Sequence, residues 1–208
     1  MPIVHLVDDD PSFLTAVSRL LKASGYEVLP FTSASAFLQQ HGTDTAGCVV
    51  ADLQMPGLDG LGLQAALAAT INPLPVLFLT GEGDITSTVR AMRSGAEDFL
   101  EKTAPKEALL DAVQRALARD ARERGARCRH AALRARLEAL TQREREVLGH
   151  VVQGRLNKQI AADLGIHERT VKLHRTAITT KLGVRSSAEL ARLVQQAGAA
   201  PQPEPTFP

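Results

Sequence analysis

The chain has 208 residues, 44% hydrophobic and 23% charged, values of an ordinary globular protein rather than a disordered one. Aromatic residues make up 3%, with no Trp, against an aromatic-stacking binder of single-stranded nucleic acid, and no apolar run approaches the roughly 18 residues of a membrane span. The net charge of +1 hides a division: residues 1–119 hold 14 Asp+Glu against 8 Lys+Arg, net −6, and residues 120–208 hold 9 against 16, net +7.

The acidic half alternates short apolar runs with amphipathic stretches. Strands are predicted at Ile3–Val7, Glu27–Phe31, Cys48–Ala51, Pro75–Leu79 and Asp98–Leu100, with helices near 11–24, 33–40, 60–69, 84–94 and 105–119. Successive βα units imply a doubly wound, five-stranded parallel sheet with helices on both faces. Residues 120–137, RDARERGARCRHAALRAR, read as an exposed helical linker in which Gly125 is the single breaker. From Leu137 the pattern is all helical. Thr141 with Glu144 forms a capping box, the Glu returning to the cap amide. Helices are predicted at 142–153, 157–164, 168–182 and 186–197, and the Pro-rich tail 201–208 is expected to be disordered. The resulting plan is 1–119, a linker over 120–136, a helical domain over 137–200 and the tail.

Chemistry is sought beyond the carboxyl ends of the strands, where such sheets bind ligands. Asp8, Asp9 and Asp10 follow the first strand, Asp52 the third, Thr80 the fourth and Lys102 the fifth. One Asp at a strand end is usually a turn or helix cap, and Asp10 before Pro11 fits a cap. Capping does not cover four strand ends in order. Paired carboxylates make an oxygen-rich site suited to Mg²⁺, beside which a carboxylate can act as a nucleophile on phosphorus. Lys102 supplies a point charge, and the Thr80 hydroxyl a bond to a phosphoryl oxygen.

The basic half contains NKQIAADLGIHERTVKLHRTAITTKLGV, a helix, a tight turn at Gly165 and a second helix, the helix-turn-helix pattern. At 100° per residue, Val171, Ile178 and Leu182 form a buried stripe. Arg169, Lys172, Leu173, Thr176 and Thr180 lie opposite, a face of cationic donors, hydroxyls and one apolar contact suited to a major groove. His174 and Arg175 flank it, and His174 reads as a packed histidine. Cys48 reads as core, His5 as structural, and Cys128 as a thiol among linker cations. Neither Cys spacing fits a disulfide or metal framework, and a strand starting at Ile3 leaves no room for a secretory signal. A reduced, cytoplasmic compartment is therefore expected.

HLVDDDP, VVADLQMPGLDG, LFLTGEGD and GAEDFLEK, in that order, make residues 1–119 resemble the flavodoxin-like receiver domain of bacterial two-component response regulators. LTQREREVLGHVVQG, NKQIAADLGI, TVKLHRTAITTKLGV and RSSAELARL make 137–197 similar to the LuxR-type DNA-binding domain of the NarL/FixJ regulators, with GEGD and the linker length pointing to a FixJ-like subgroup. The resemblance implies phosphorylation of Asp52 by a sensor histidine kinase. It implies Mg²⁺ bound by Asp9, Asp52 and the Gln54 backbone carbonyl, with Asp8 acting through water. Thr80 and Phe99 would be the switch pair and Lys102 the phosphate-pairing lysine. On the DNA side, Lys172, Leu173 and Thr176 would face the groove and Lys158 and Arg185 the phosphates of double-stranded promoter DNA. Phosphorylation would favour a homodimer, through the fourth helix, fifth strand and fifth helix or the first and fifth helices, with helix 186–197 as the dimer contact on DNA. RNA polymerase is a further expected contact; no membrane partner and no separate enzymatic site are expected.

One departure stands out. The family has Pro after the lysine, often with a cis bond, where this chain has Thr103. A non-proline cis bond costs about 2.5–4 kcal/mol, which predicts a trans loop and a different seat for Lys102. This keeps open a phosphorylation-independent DNA-binding regulator with a degenerate receiver. A phosphatase using Asp52 as a covalent nucleophile would carry a second Asp where this chain has Gln54.

Overall fold

The computed structural model describes residues 2–42, 45–81 and 85–196. Residues 82–84 of the GEGD motif, residues 197–200 and the tail lie outside them. Among the described residues, contacts divide the chain into two units, Met1–Gly125 and Ala126–Pro208.

The first unit is built on strands β1 (Ile3–Val7), β2 (Glu27–Phe31), β3 (Gly47–Asp52), β4 (Val76–Thr80) and β5 (Asp98–Glu101), in the order β2-β1-β3-β4-β5. Every pairing is parallel. Helices α1 (Pro11–Ala23), α2 (Ala34–Gln40), α3 (Gly60–Ala68), α4 (Ile85–Arg93) and α5 (Lys106–Glu138) complete the α/β alternation. β3 is buried at all six positions, as a strand covered on both faces must be. Two apolar cores follow: Phe37, Leu63, Leu67 and Phe78 on one face, Leu6, Leu21, Leu77 and Val113 on the other. On the β2 edge, the Phe31 carbonyl accepts from the Asp8 N–H at 3.1 Å. Phe31 therefore faces β1, and the neighbouring Pro30 turns its nitrogen outward.

Gly125 does not break the chain. Helix α5 runs without interruption through 33 residues. A helical glycine costs only about 1 kcal/mol relative to alanine, and the Ala and Arg residues around it are strong helix formers. Its early turns bury Leu109, Ala112, Val113, Ala116 and Asp120 against the first unit.

The second unit contains α6 (Gln142–Val152), α7 (Asn157–Leu164), α8 (Glu168–Leu182) and α9 (Ser187–Gln196). The Thr141–Glu144 capping box is formed on both arms. Gly165, at φ 62° and ψ 37°, ends α7 in the left-handed conformation that glycine adopts without steric cost. Val147, Ile160, Val171, Ile178 and Leu182 are fully buried and form the centre of the core.

Candidate functional site

The acidic pocket lies at the carboxyl end of the sheet. β1 is paired on both sides, by β2 and β3, and its register with β3 brings Asp8 beside Asp52. Asp8 is 1% exposed and Asp52 7%, while Asp9 is exposed. Carboxylate oxygens of Asp8, Asp9 and Asp52 all lie within 4.8 Å of one another. Local bonds orient them: the Asp10 N–H donates to Asp8 Oδ1 at 2.9 Å, and the Gln54 N–H to Asp52 Oδ1 at 3.2 Å. With its N–H turned onto Asp52, Gln54 sits on the loop beside the pocket. Asp10 also caps α1, accepting from the Ser12 and Phe13 N–H groups.

Lys102 reaches the pocket from beyond β5. Its backbone N–H donates to the Thr80 carbonyl at 2.8 Å. Its ammonium lies 2.6 Å from Asp8 Oδ2 and 2.8 Å from Asp52 Oδ2. The described residues contain no cis peptide bond, so the loop is trans as predicted, and Lys102 nevertheless meets both carboxylates. Burial disfavours the charged ammonium, but the hydrogen bonds to Asp52 and Asp8 outweigh it and raise the Lys102 pKa. Burial is also the main reason the Asp8 carboxyl is pushed up, against the pull of Lys102. The Phe13 ring lies under the ammonium, 4.4 Å from it to the centroid.

Thr80 is buried at the end of β4. Phe99 is half-buried on β5, its ring centroid 6.3 Å from that of Phe78. Gly60 closes the floor, where a Cβ would stand 2.5 Å from the Asp52 carbonyl and 2.8 Å from Phe78. Three converging carboxylates form the donor set that a small hard dication prefers, and two of them, Asp8 and Asp52, already share one cation, the Lys102 ammonium.

In the second unit, α8 buries Val171, Ile178 and Leu182 and exposes Arg169, Lys172, Leu173, Thr176 and Thr180 on the opposite face. Leu173 is 64% exposed, an unusual setting for leucine. Lys158 and Arg185 are exposed, and Arg185 uses its backbone N–H to bind Glu189 at 2.8 Å. His174 is half-buried. Arg175 lies at the flank of this face and has a structural partner. Its guanidinium donates to Asn157 Oδ1 at 2.8 Å, tying α8 to the start of α7. A polar pair on two different helices leaves no periodic signal, and neither does a contact between Phe13 on α1 and Lys102 in the loop after β5.

A doubly wound sheet with an acid-rich pocket, followed by a helix-turn-helix unit, defines a receiver module joined to a DNA-binding module. The response regulator receiver domain family matches residues 4–114, and the luxR family of bacterial regulatory proteins matches residues 138–194. Nodulation protein W of Bradyrhizobium diazoefficiens is 42% identical over 94% of this chain and 86% of its own length. Transcriptional regulatory protein FixJ of Azorhizobium caulinodans is 40% identical over 98% and 96%. Among solved structures, response regulator StyR superposes with a TM-score of 0.86 at 45% identity, covering 94% of this chain and 98% of that one. Full-length FixJ from B. japonicum gives a TM-score of 0.58 at 35% identity, covering 95% and 97%. The chain belongs to the two-component response regulators with a LuxR-type DNA-binding domain, the FixJ-like transcription factors. No helix among the described residues is long and apolar enough to cross a membrane.

Proposed function

We propose that Asp52 is the phosphoacceptor through which a sensor histidine kinase controls this transcription factor. The observation that carries the reading is the seat of the Asp52 carboxylate, nearly buried and 2.8 Å from the Lys102 ammonium. An Asp52 oxygen attacks phosphorus, the P–N bond of the kinase phosphohistidine breaks, its electron pair returns to the imidazole, and an acyl phosphate forms. Mg²⁺, held by Asp9, Asp52 and the Gln54 carbonyl with Asp8 acting through water, would offset charge on the transferring group. Lys102 pairs with the phosphoryl oxygens. Thr80 is drawn toward them and Phe99 repacks into the space released.

The remaining assignments follow from this one. The receiver comprises the strands and early α5, and 137–200 is the DNA-binding domain, with the intervening α5 residues joining them. Lys172, Leu173, Thr176 and Arg169 read the major groove of promoter DNA, and Lys158 and Arg185 contact phosphates. Phosphorylation favours a homodimer in the cytoplasm, and the bound dimer engages RNA polymerase. The reach of Lys102 to both carboxylates weighs against the degenerate-receiver alternative, and Gln54 against a phosphatase.

The test is incubation with acetyl phosphate and Mg²⁺ followed by intact mass. One adduct of about 80 Da is expected in the native chain and none in Asp52→Asn. An adduct that persists in the variant refutes the assignment.

A further inference from the structure

We propose that Phe13 is a positioning residue for phosphoryl transfer, its ring face holding the Lys102 ammonium in register with Asp52. The inference rests on Asp52 being the phosphoacceptor.

The geometry encloses the ammonium. Two of its sides meet Asp8 Oδ2 and Asp52 Oδ2 at 2.6 and 2.8 Å, and the Phe13 ring lies 4.4 Å away to the centroid. A lysine carries its charge on a flexible four-carbon stem, and the two carboxylates fix the head on only two of its sides. The negative face of an aromatic ring attracts a cation and excludes water from its side.

The ring itself is well fixed. The Phe13 N–H donates to Asp10 Oδ1 at 3.3 Å as part of the α1 cap. Its side chain packs against the core formed by β1, β3, β4 and α5. One acidic run thus supplies both sides of the enclosure. Asp8 provides a carboxylate, and Asp10 anchors the first turn that presents the ring. During transfer Lys102 must turn from the carboxylates to the phosphoryl oxygens, and the ring restricts that movement to a short arc.

Hydrophobic packing alone accounts for an apolar residue at position 13, and leucine would satisfy it. Leucine lacks the ring quadrupole. The test therefore grades the quadrupole at constant shape, by incorporating mono-, di- and pentafluorophenylalanine at position 13 of the full chain. Phosphorylation by acetyl phosphate with Mg²⁺ is timed by intact mass. The rate should fall stepwise with fluorination, reaching about threefold to tenfold below native. Phe13→Leu should fall by a similar factor and Phe13→Tyr should restore the native rate.

A second readout needs no phosphorylation. In the apo protein the Lys102 Cε protons should show an upfield ring-current shift by NMR, lost in Phe13→Leu. If Phe13→Leu fails to fold, the fluorinated series still decides. A flat rate across the series in a chain that does acquire the adduct overturns the positioning role alone. A native chain that acquires no adduct overturns the Asp52 reading instead.

Discussion

Asp120 and Gly47 are joined by a hydrogen bond across 73 residues, the Gly47 N–H donating to Asp120 Oδ2 at 3.0 Å. The bond joins the fourth turn of α5 to the first residue of β3. No side chain fits at position 47, where a Cβ would stand 1.9 Å from the Ile3 carbonyl. The Arg124 guanidinium donates to the nearby Thr45 carbonyl at 3.3 Å, and Arg119 bridges Glu97 and Glu123. The first unit therefore holds α5 past residue 119, and the contact boundary falls at Gly125.

A receiver fragment ending at residue 119 should accordingly be less stable than one ending at 125. Losing Asp120 leaves a buried N–H without its acceptor, at a cost of about 1–3 kcal/mol. Urea unfolding of the two fragments, and of Asp120→Ala in the full chain, should show this deficit. Equal midpoints for the two fragments would remove Asp120 from the account.

His5 should make the protein sensitive to mild acid. It is 3% exposed in β1, packed on the Phe37 ring at a centroid distance of 5.2 Å and on His41 at 5.8 Å. Burial, assisted by the nearby His41, pushes its pKa down to about 4. The unfolded chain binds its proton near pH 6.5 and the folded chain only near 4. The contribution is thus complete above pH 6.5 and is lost as pH falls from there to 4, on the order of 3 kcal/mol. Urea melts across that window should show the slope, and His5→Leu should flatten it. An unchanged slope in the variant means that other groups set the acid response.

Lys172 on α8 and Arg185 in the turn after it predict two different DNA phenotypes. Lys172→Ala should reduce discrimination between promoter sites if, as proposed, its exposed ammonium reaches base edges. Arg185→Ala should weaken all sites alike and lower the log–log salt slope by about 0.9, one phosphate contact. Gel shifts across several sites and salt concentrations separate them, and identical behaviour of the two variants contradicts the proposed orientation of α8.

Metal should matter for chemistry and little for folding. Mg²⁺ binds through few carboxylates and keeps several waters, whereas the two cores of the first unit are apolar. A chelator should stop adduct formation and leave Tm nearly unchanged. A large fall in Tm would assign the ion a structural role.

Beryllofluoride with Mg²⁺, standing in for the phosphoryl group on Asp52, should convert the monomer to a dimer in sedimentation. A shift of about a hundredfold in the monomer–dimer balance corresponds to about 2.7 kcal/mol. A sample that stays monomeric while its DNA affinity rises would show that dimerisation is not the switch.

The site was legible in the sequence because its acids, hydroxyl and amine each end a strand, and one topology brings strand ends together. Asp8, Asp52, Thr80 and Lys102 needed only chain order. The α8 face was legible because its buried stripe repeats at helical period. The continuity of α5 was not, because Gly125 looked like punctuation while helix-forming neighbours decide the outcome. Asp120–Gly47 and Phe13–Lys102 had no local signature at all. Each joins residues far apart in the chain, and only the folded sheet brings them together.

The outward-facing nitrogen of Pro30 has a consequence for life in a crowded cell. An open sheet edge invites a strand from another molecule, the first step of edge-to-edge aggregation. On β2 the donor that an incoming strand would need at that position is missing, because proline has no N–H. The half-exposed Leu29 thus sits at an edge where one rung of any added ladder is missing, which weakens the pairing of a foreign strand there.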